Sequence, residues 1–315
     1  MTDSTPNNAW GHGLATLDSR GNVLDVWFKD PKLGTAPKND ELWVVPRELD
    51  ALVGEDKRRL VTTQVVRTES DLTQPVTSVD DAYLRLHLLS HLLVRPNSIN
   101  LEGLIAQLPI VAFSSIGAIA LDDLDVLRPS LQRLGVVIHS IDKFPRMVDY
   151  VSPKKVRIAD ASRVRLGAHL SPGTTIMHEG FVNFNAGTLG SSMVEGRISQ
   201  GVVVDDGADI GGGASIMGTL SGGGKQRITI GKRALLGANS GIGISIGDDS
   251  VVEAGLYVTA GTKMTLITDD GEKVVKALAL SGVPNLLFRR NSLTGKVEAL
   301  SRTGAGVVLN KDLHP

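Results

Sequence analysis

The 315-residue chain contains no cysteine. A disulfide framework, a thiolate zinc site and a cysteine nucleophile are therefore excluded, and the composition fits a reducing, cytoplasmic setting. Aromatic residues make up only 4%, which leaves core building to aliphatic side chains. Net charge is −1, so no global basic field draws the protein toward nucleic acid or a membrane surface. The longest apolar stretch, Ile110 to Leu121, is broken by serines and is too short to span a bilayer. Met1 to Ala9 is polar and lacks a signal-peptide pattern. A soluble protein with no membrane partner is expected.

What is abundant is glycine, and it is localised. Of 35 glycines, 22 lie between Gly167 and Gly261, the mark of a backbone that turns often and regularly. Before that region the chain reads as a mixed α/β domain over residues 1–150. Trp10–Leu17 and Val23–Phe28 flank the turn at Asp18–Gly21, and Asp30–Asp40 reads as loop. Arg59–Val66 reads as a strand. Ser78 is the N-cap of a helix carrying Leu84, Leu88 and Leu92 and stopped by Pro96. Further helices are expected over Asn100–Gln107 and Asp122–Leu134, and a short strand over Val136–His139. No chemical motif stands out in this part.

From Ile158 aliphatic residues recur every six positions: Ile158, Val164, Leu170, Ile176, Val182, then Thr188, then Val194. After a four-residue slip the series resumes at Ile198, Val204, Ile210 and Ile216. An excursion, Thr219 to Arg227, interrupts it; Ile230, Leu236 and Ile242 follow, and after a second slip Ile246, Val252 and Val258. Small residues often sit four places after these positions, and Gly, Asp, Glu or Ala one place after. A period of six is neither helical nor a simple strand alternation. It describes a chain that makes a short strand, turns a corner and repeats, with the aliphatic residue inward and glycine permitting the turn. Three faces of six residues make a triangular coil. A parallel β-helix is expected over residues 151–263. Paired β-patterns after Thr262 predict a β-hairpin cap over 264–315, which covers the open sheet edge.

Repeats of this kind resemble the hexapeptide acyltransferase superfamily, which implies a left-handed parallel β-helix and a homotrimer. The stretches Met177–Gly190, Met193–Ser199 and Gly211–Gly224 resemble, more closely, the tetrahydrodipicolinate N-succinyltransferases. That family implies transfer of succinyl from succinyl-CoA to the amine of ring-opened tetrahydrodipicolinate, in lysine and diaminopimelate biosynthesis.

In Val194-Glu195-Gly196 the aliphatic residue points inward, so Glu195 is expected to project outward. The resemblance makes Glu195 catalytic, either as the base that deprotonates the amine or as a nucleophile forming an acyl anhydride. It makes Gly218 the second catalytic position, a backbone N–H for the oxyanion. It places succinyl-CoA against Arg197, Gly212, Ser215, Ala238, Glu253, Ala254, Gly261, Lys273 and Arg289, with small residues admitting the extended pantetheine arm and the basic ones meeting phosphates. Arg290 is a neighbour with the same capacity. Glu179 is the implied ligand of Mg²⁺ on a trimer axis, although the relatives' acidic partner is here Ser162 and Asp160 stands nearby.

Other motifs fail. Gly222–Lys225 lacks P-loop spacing and is followed by Gln226, so it reads as a mobile loop; His178-Glu179 lacks the second His of HExxH. Only His169 and His178 fall in the repeats, which argues against a three-histidine metal site. Two other readings keep the fold and change the job: a hexapeptide acyltransferase with a different acceptor, and a non-catalytic β-helix scaffold.

Overall fold

A computed structural model describes residues 6–37, 44–223 and 225–302. The outermost residues of the chain, the end of the 30–40 loop and Gly224 lie outside them. The chain divides into two compact units, residues 1–152 with 165–167, and residues 153–164 with 168–315.

In the first unit the strands Asn8–Asp18 and Val23–Phe28 form the expected hairpin, and the strand Val61–Asp71, of equal length, pairs along the whole of Asn8–Asp18. The helix Val79–Ser90 starts at Ser78, whose side chain accepts the Asp81 N–H. It ends before Pro96, because Leu92 adopts a left-handed conformation. Every residue from Asp81 to Ser90 is buried. That includes Arg85, whose guanidinium pairs with Asp81 at 2.8 Å and donates to the carbonyls of Asp71, Gln74 and Asn100. The helix expected over Asn100–Gln107 shrinks to Leu104–Gln107, since Gly103 is left-handed. The apolar stretch around Ile110–Leu121 is a hairpin, Val111–Ser114 with Gly117–Ala120, joined by Ile138–Asp142. The helix Leu121–Arg133 buries Leu124, Leu127 and Leu131 against Ala112 and Ile119 of that hairpin. No helix among the described residues is long and apolar enough to cross a membrane.

In the second unit two- and three-residue strands stack into three parallel sheets. The first face carries Thr175–Ile176, Met193–Val194, Asp209–Ile210, Leu235–Leu236 and Val251–Val252. The second carries Phe181–Val182, Arg197–Ile198, Ser215–Ile216, Gly241–Gly243 and Tyr257–Thr259. The third carries His169–Leu170, Gly187–Thr188, Val203–Val204 and Thr229–Ile230. From Val164 to Val258 every aliphatic residue of the six-residue series is at most 1% exposed. Only Ile158, in the first coil, is half-buried. Thr188, the one polar residue in the series, is fully buried too. Its hydroxyl lies 2.6 Å from that of Thr174 and accepts the Ser171 N–H at 3.2 Å. A buried hydroxyl with partners is tolerated.

The breaks in the period are changes in coil length. Ile176 pairs with Val194, eighteen residues on, whereas Val182 pairs with Ile198, sixteen on. The excursion lengthens one coil, so that Val204 pairs with Ile230. The second slip shortens another, so that Ile242 pairs with Val258. Register is restored each time.

Glycine serves two ends here, and the sequence reading named one. The left-handed residue of a corner lies three places after the inward one, and is often not glycine: Asn185, Arg233, Asn239 and Asp249 occupy it alongside Gly213. Glycine one place after the inward residue has another cause. A Cβ on Gly211 would stand 2.5 Å from the Leu236 carbonyl oxygen of the next coil. Close stacking of coils, rather than turn geometry, requires it.

The last strands close the first face. Leu286–Arg290 pairs in parallel with Val251–Val252 and antiparallel with Val297–Ser301, which in turn lies beside the hairpin Lys263–Thr268 and Gly271–Lys276.

Candidate active site

The corner between the first and second faces carries Glu195. The first slip leaves only Glu195 and Gly196 between the strands Met193–Val194 and Arg197–Ile198. A Cβ on Gly196 would lie 2.5 Å from the Ala214 carbonyl oxygen, so this tight corner admits only glycine. The backbone of Glu195 is pinned: its N–H donates to Ile210 at 2.8 Å and its carbonyl accepts from Gly213 at 3.3 Å. Its half-buried carboxylate makes no hydrogen bond or ion pair among the described residues. A Cβ on Gly212, in the next coil, would stand 3.4 Å from Glu195 Oε2. The bare glycine therefore leaves that flank of the carboxylate open.

Gly212, Ala238 and Ala254 occupy equivalent places on successive coils of this corner. Their carbonyls are partly spent, since Gly212 accepts from Asn239 and Ala238 from Gly255, each at 2.8 Å. Their N–H groups donate to nothing among the described residues. Coils stack about 4.8 Å apart, so this is a ladder of unused donors running from Glu195. Arg197 and Ser215 are register partners on the adjoining second face, and the guanidinium donates to the Ser215 hydroxyl.

Gly218 sits elsewhere, at the corner between the second and third faces. A Cβ there would lie 2.6 Å from the Gln200 carbonyl oxygen, so Gly218 stacks on Gln200. Its carbonyl accepts from Ile228, while its N–H has no acceptor among the described residues. Five residues of nearly extended chain separate Glu195 from Gln200, on the order of 15 Å. One chain does not bring Glu195 and Gly218 together. The excursion after Gly218 folds along its own corner: Thr219 bridges Arg227, Ser221 N–H donates to Gly243, and Ser221 Oγ accepts from Ala260 at 2.6 Å. Gly261 is the next residue, exposed on that corner.

The remaining expected contacts are already engaged or stand apart. The Glu253 carboxylate accepts the Arg290 N–H at 2.5 Å. Arg289 is paired with buried Glu298 at 3.0 Å. Lys273 lies on the hairpin strand Gly271–Lys276, exposed. Glu179 is exposed and 3.4 Å from the Arg163 guanidinium, and the Ser162 hydroxyl donates to Asp160. Among the described residues no group of three acidic or histidine side chains gathers there or elsewhere. Within one chain, Glu179 with an arginine beside it does not fit a cation site.

The sequence reading missed a polar cluster inside the first unit. Asp25 is buried, and Tyr150 donates to it at 2.5 Å. Burial, offset in part by that hydrogen bond, raises the Asp25 pKa, and burial pushes the Tyr83 and Tyr150 hydroxyls well above their usual range. Asp25 and Tyr150 line a cleft of about 460 Å³ together with Trp27, Ser114, Arg146 and Asp149. These residues come from distant segments, so no local motif signals them.

His87, buried beneath this cluster, donates from Nδ1 to the Tyr83 carbonyl at 2.8 Å and accepts the Phe28 N–H on Nε2. Burial lowers its pKa to about 3. Between the ordinary histidine value and about 3, the unfolded chain takes up a proton that folded His87 refuses, so stability falls as pH falls. Asp25 acts oppositely, costing stability as pH rises through the carboxylate range. At its steepest the His87 slope approaches about 1.4 kcal/mol per pH unit. Urea midpoints measured from about pH 7 down to about pH 4 should fall steeply for the native protein and less so for His87→Gln. Parallel curves would contradict the assignment.

Known proteins resemble this chain throughout. A family model described as "Tetrahydrodipicolinate N-succinyltransferase middle" matches residues 108–146, and one described as "Hexapeptide repeat of succinyl-transferase" matches residues 227–260. A 2,3,4,5-tetrahydropyridine-2,6-dicarboxylate N-succinyltransferase of Vibrio cholerae is 57% identical over 241 residues, covering 75% of this chain and 70% of its own length. That of Pseudomonas aeruginosa is 48% identical over 300 residues, covering 90% and 87%. A crystal structure from Campylobacter jejuni, described as a 2,3,4,5-tetrahydropyridine-2-carboxylate N-succinyltransferase, superposes with a TM-score of 0.80 at 31% identity, covering 96% of this chain and 94% of that one.

Proposed function

We infer how the site works from one premise: this chain belongs to the tetrahydrodipicolinate N-succinyltransferase family, acyltransferases of lysine and diaminopimelate biosynthesis. It transfers succinyl from succinyl-CoA to the amine of ring-opened tetrahydrodipicolinate. The observation that carries the site assignment is the ladder of unused N–H groups at Gly212, Ala238 and Ala254, which begins beside the open flank of the Glu195 carboxylate.

A pantetheine arm has two amide carbonyls, and an extended arm along this corner pairs them with those donors and brings its thioester toward Glu195. Arg197, held by Ser215, lies where the succinyl carboxylate arrives. In the base reading, the amine enters neutral, its ammonium proton already lost to solvent, and Glu195 takes a second proton from nitrogen as nitrogen attacks the thioester carbon. The oxyanion is held by the Gly218 N–H, the C–S bond breaks, and the proton passes to the departing thiolate. In the nucleophile reading, Glu195 displaces the thiolate first and the amine then attacks the anhydride. Glu253, Gly261, Lys273 and Arg289 line the rest of the CoA path.

The separation of Glu195 from Gly218 supports a site completed by a second copy, with Glu195 from one chain and Gly218 from its neighbour. A cyclic homotrimer of left-handed β-helices gives every chain such a neighbour. Because Glu179 is paired with Arg163 and lacks an acidic neighbour at Ser162, no step runs through a metal.

The test is thiol release from succinyl-CoA. Release beyond one equivalent per site is expected only when a tetrahydrodipicolinate-type amine is present, and from a protein whose sedimentation mass is three chains. Equal release with acetyl-CoA and unrelated amines would overturn the site reading, and a mass of one chain would overturn the shared site.

A further inference from the structure

The C-terminal sheet carries more positive charge on one face than its own acids neutralise. Lys263 and Lys276 stand directly opposite each other in the antiparallel pair Lys263–Thr268 and Gly271–Lys276. Thr265 pairs with Glu298 on the third strand. Lys296, two residues before Glu298, therefore falls on the same side of the sheet as Lys263, two before Thr265. Arg289 is opposite Glu298 and shares that side. Cross-strand partners hold their Cβ atoms about 5 Å apart, and like charges so placed repel.

Two acids are available. Glu298 is spent on Arg289 at 3.0 Å and on Asn291 at 2.8 Å. Glu272 reaches Lys296 only at 3.8 Å. Lys263, Lys273 and Lys276 make no ion pair among the described residues. Lys263, Lys273 and Lys296 also line a groove of about 400 Å³, with Thr265, Glu272 and Val274. A row of lysines facing one another beside an open groove lacks an anion, and a compact dianion satisfies it better than separate monovalent ions. Lysine, a point charge on a flexible stem, suits a phosphate monoester that it meets from several sides.

We propose that Lys263, Lys276 and Lys296 bind the 3′-phosphate of coenzyme A, so that this sheet distinguishes CoA thioesters from their 3′-dephospho counterparts. The proposal rests on the CoA reading above. It adds three residues that the resemblance does not name and gives them a single ligand group.

Two measurements test it separately from that reading. In the first, kcat/KM is compared for succinyl-CoA and succinyl-3′-dephospho-CoA. The native enzyme should prefer the phosphorylated donor by about 10–100-fold, and Lys263→Ala with Lys296→Ala should erase most of that preference by lowering only the succinyl-CoA value. An equal fall with both donors, or no fall, overturns the proposal. In the second, calorimetric titration with adenosine 3′,5′-bisphosphate needs no turnover. Binding that weakens about tenfold in the double variant supports the phosphate site even if no thiol is released. Bisphosphate affinity that is unchanged in the double variant, or that in the native protein is no higher than the affinity for adenosine 5′-monophosphate, overturns it.

Discussion

Glu195→Gln is expected to lower kcat by roughly 10²–10⁴-fold while succinyl-CoA still binds. The substitution keeps the shape of the side chain and removes its ability to take a proton or attack a carbonyl. The backbone of the corner is held independently, by Ile210 and Gly213 on the next coil, so the fold should not register the change. The unused N–H groups of Gly212, Ala238 and Ala254, proposed to receive the pantetheine arm, are untouched. Steady-state rates with the amine acceptor provide the measurement, and a variant retaining more than about a tenth of the native kcat would remove Glu195 from the chemistry. The native enzyme also separates the two roles. Mixed with succinyl-CoA and no acceptor, a nucleophilic Glu195 releases one equivalent of thiol per site, whereas a basic Glu195 releases none. Shared sites add a further expectation: co-assembling Glu195→Gln chains with chains inactivated at Gly218 restores activity, since some interfaces then carry both native groups.

Gly187→Ala is expected to prevent the β-helix from forming at ordinary temperature, or to cost more than about 4 kcal/mol. Gly187 opens the third-face strand Gly187–Thr188 with φ of +150°, and a Cβ there would lie 1.9 Å from the His169 carbonyl oxygen. The colliding atom is backbone, already paired in the parallel ladder, and cannot swing away. Gly261→Ala is the control. Nothing lies within 4 Å of a Cβ at that position and its φ is not left-handed, so it should fold normally and report only on CoA. Thermal unfolding of the two variants side by side decides the matter. A Gly187→Ala protein melting within a few degrees of native would mean that the coils slide apart easily, contrary to their close stacking.

The two halves of the chain differ in how much of them was legible. The repeats state their inward positions directly, because each coil meets only its neighbours and the same environment recurs. Hence the series from Val164 to Val258 is read residue by residue, slips included. Thr188 interrupts the aliphatic series, and its bond to Thr174, a partner fourteen residues away, is not encoded in the period. In the first unit, helix ends were misplaced where left-handed Leu92 and Gly103 override side-chain pattern. Likewise the leucine spacing of that helix gives no sign of the buried Asp81–Arg85 pair. The candidate site was legible only in part. Glu195 was visible as an outward residue at a break in the period, but its distance from Gly218 was not, since the two corners become distinct only once the coil is wound. The free N–H ladder was invisible for a different reason: it belongs to the backbone, and sequence names side chains.

Coil lengths of sixteen, eighteen and twenty-six residues carry a lesson for how such a chain accepts insertions and deletions. Each change falls between strands, and every pairing on either side keeps its partners. Adding or removing one residue inside a two-residue strand would turn the buried side chain to solvent and its polar neighbour into the core. Length variation is therefore filtered by location: corners admit segments of many sizes, strands admit none. The excursion Thr219–Arg227 is the largest such admission in this chain, and it stands directly after the glycine assigned to the oxyanion. New contacts to an acceptor can be lengthened, shortened or replaced there without disturbing a single rung of the stack beneath.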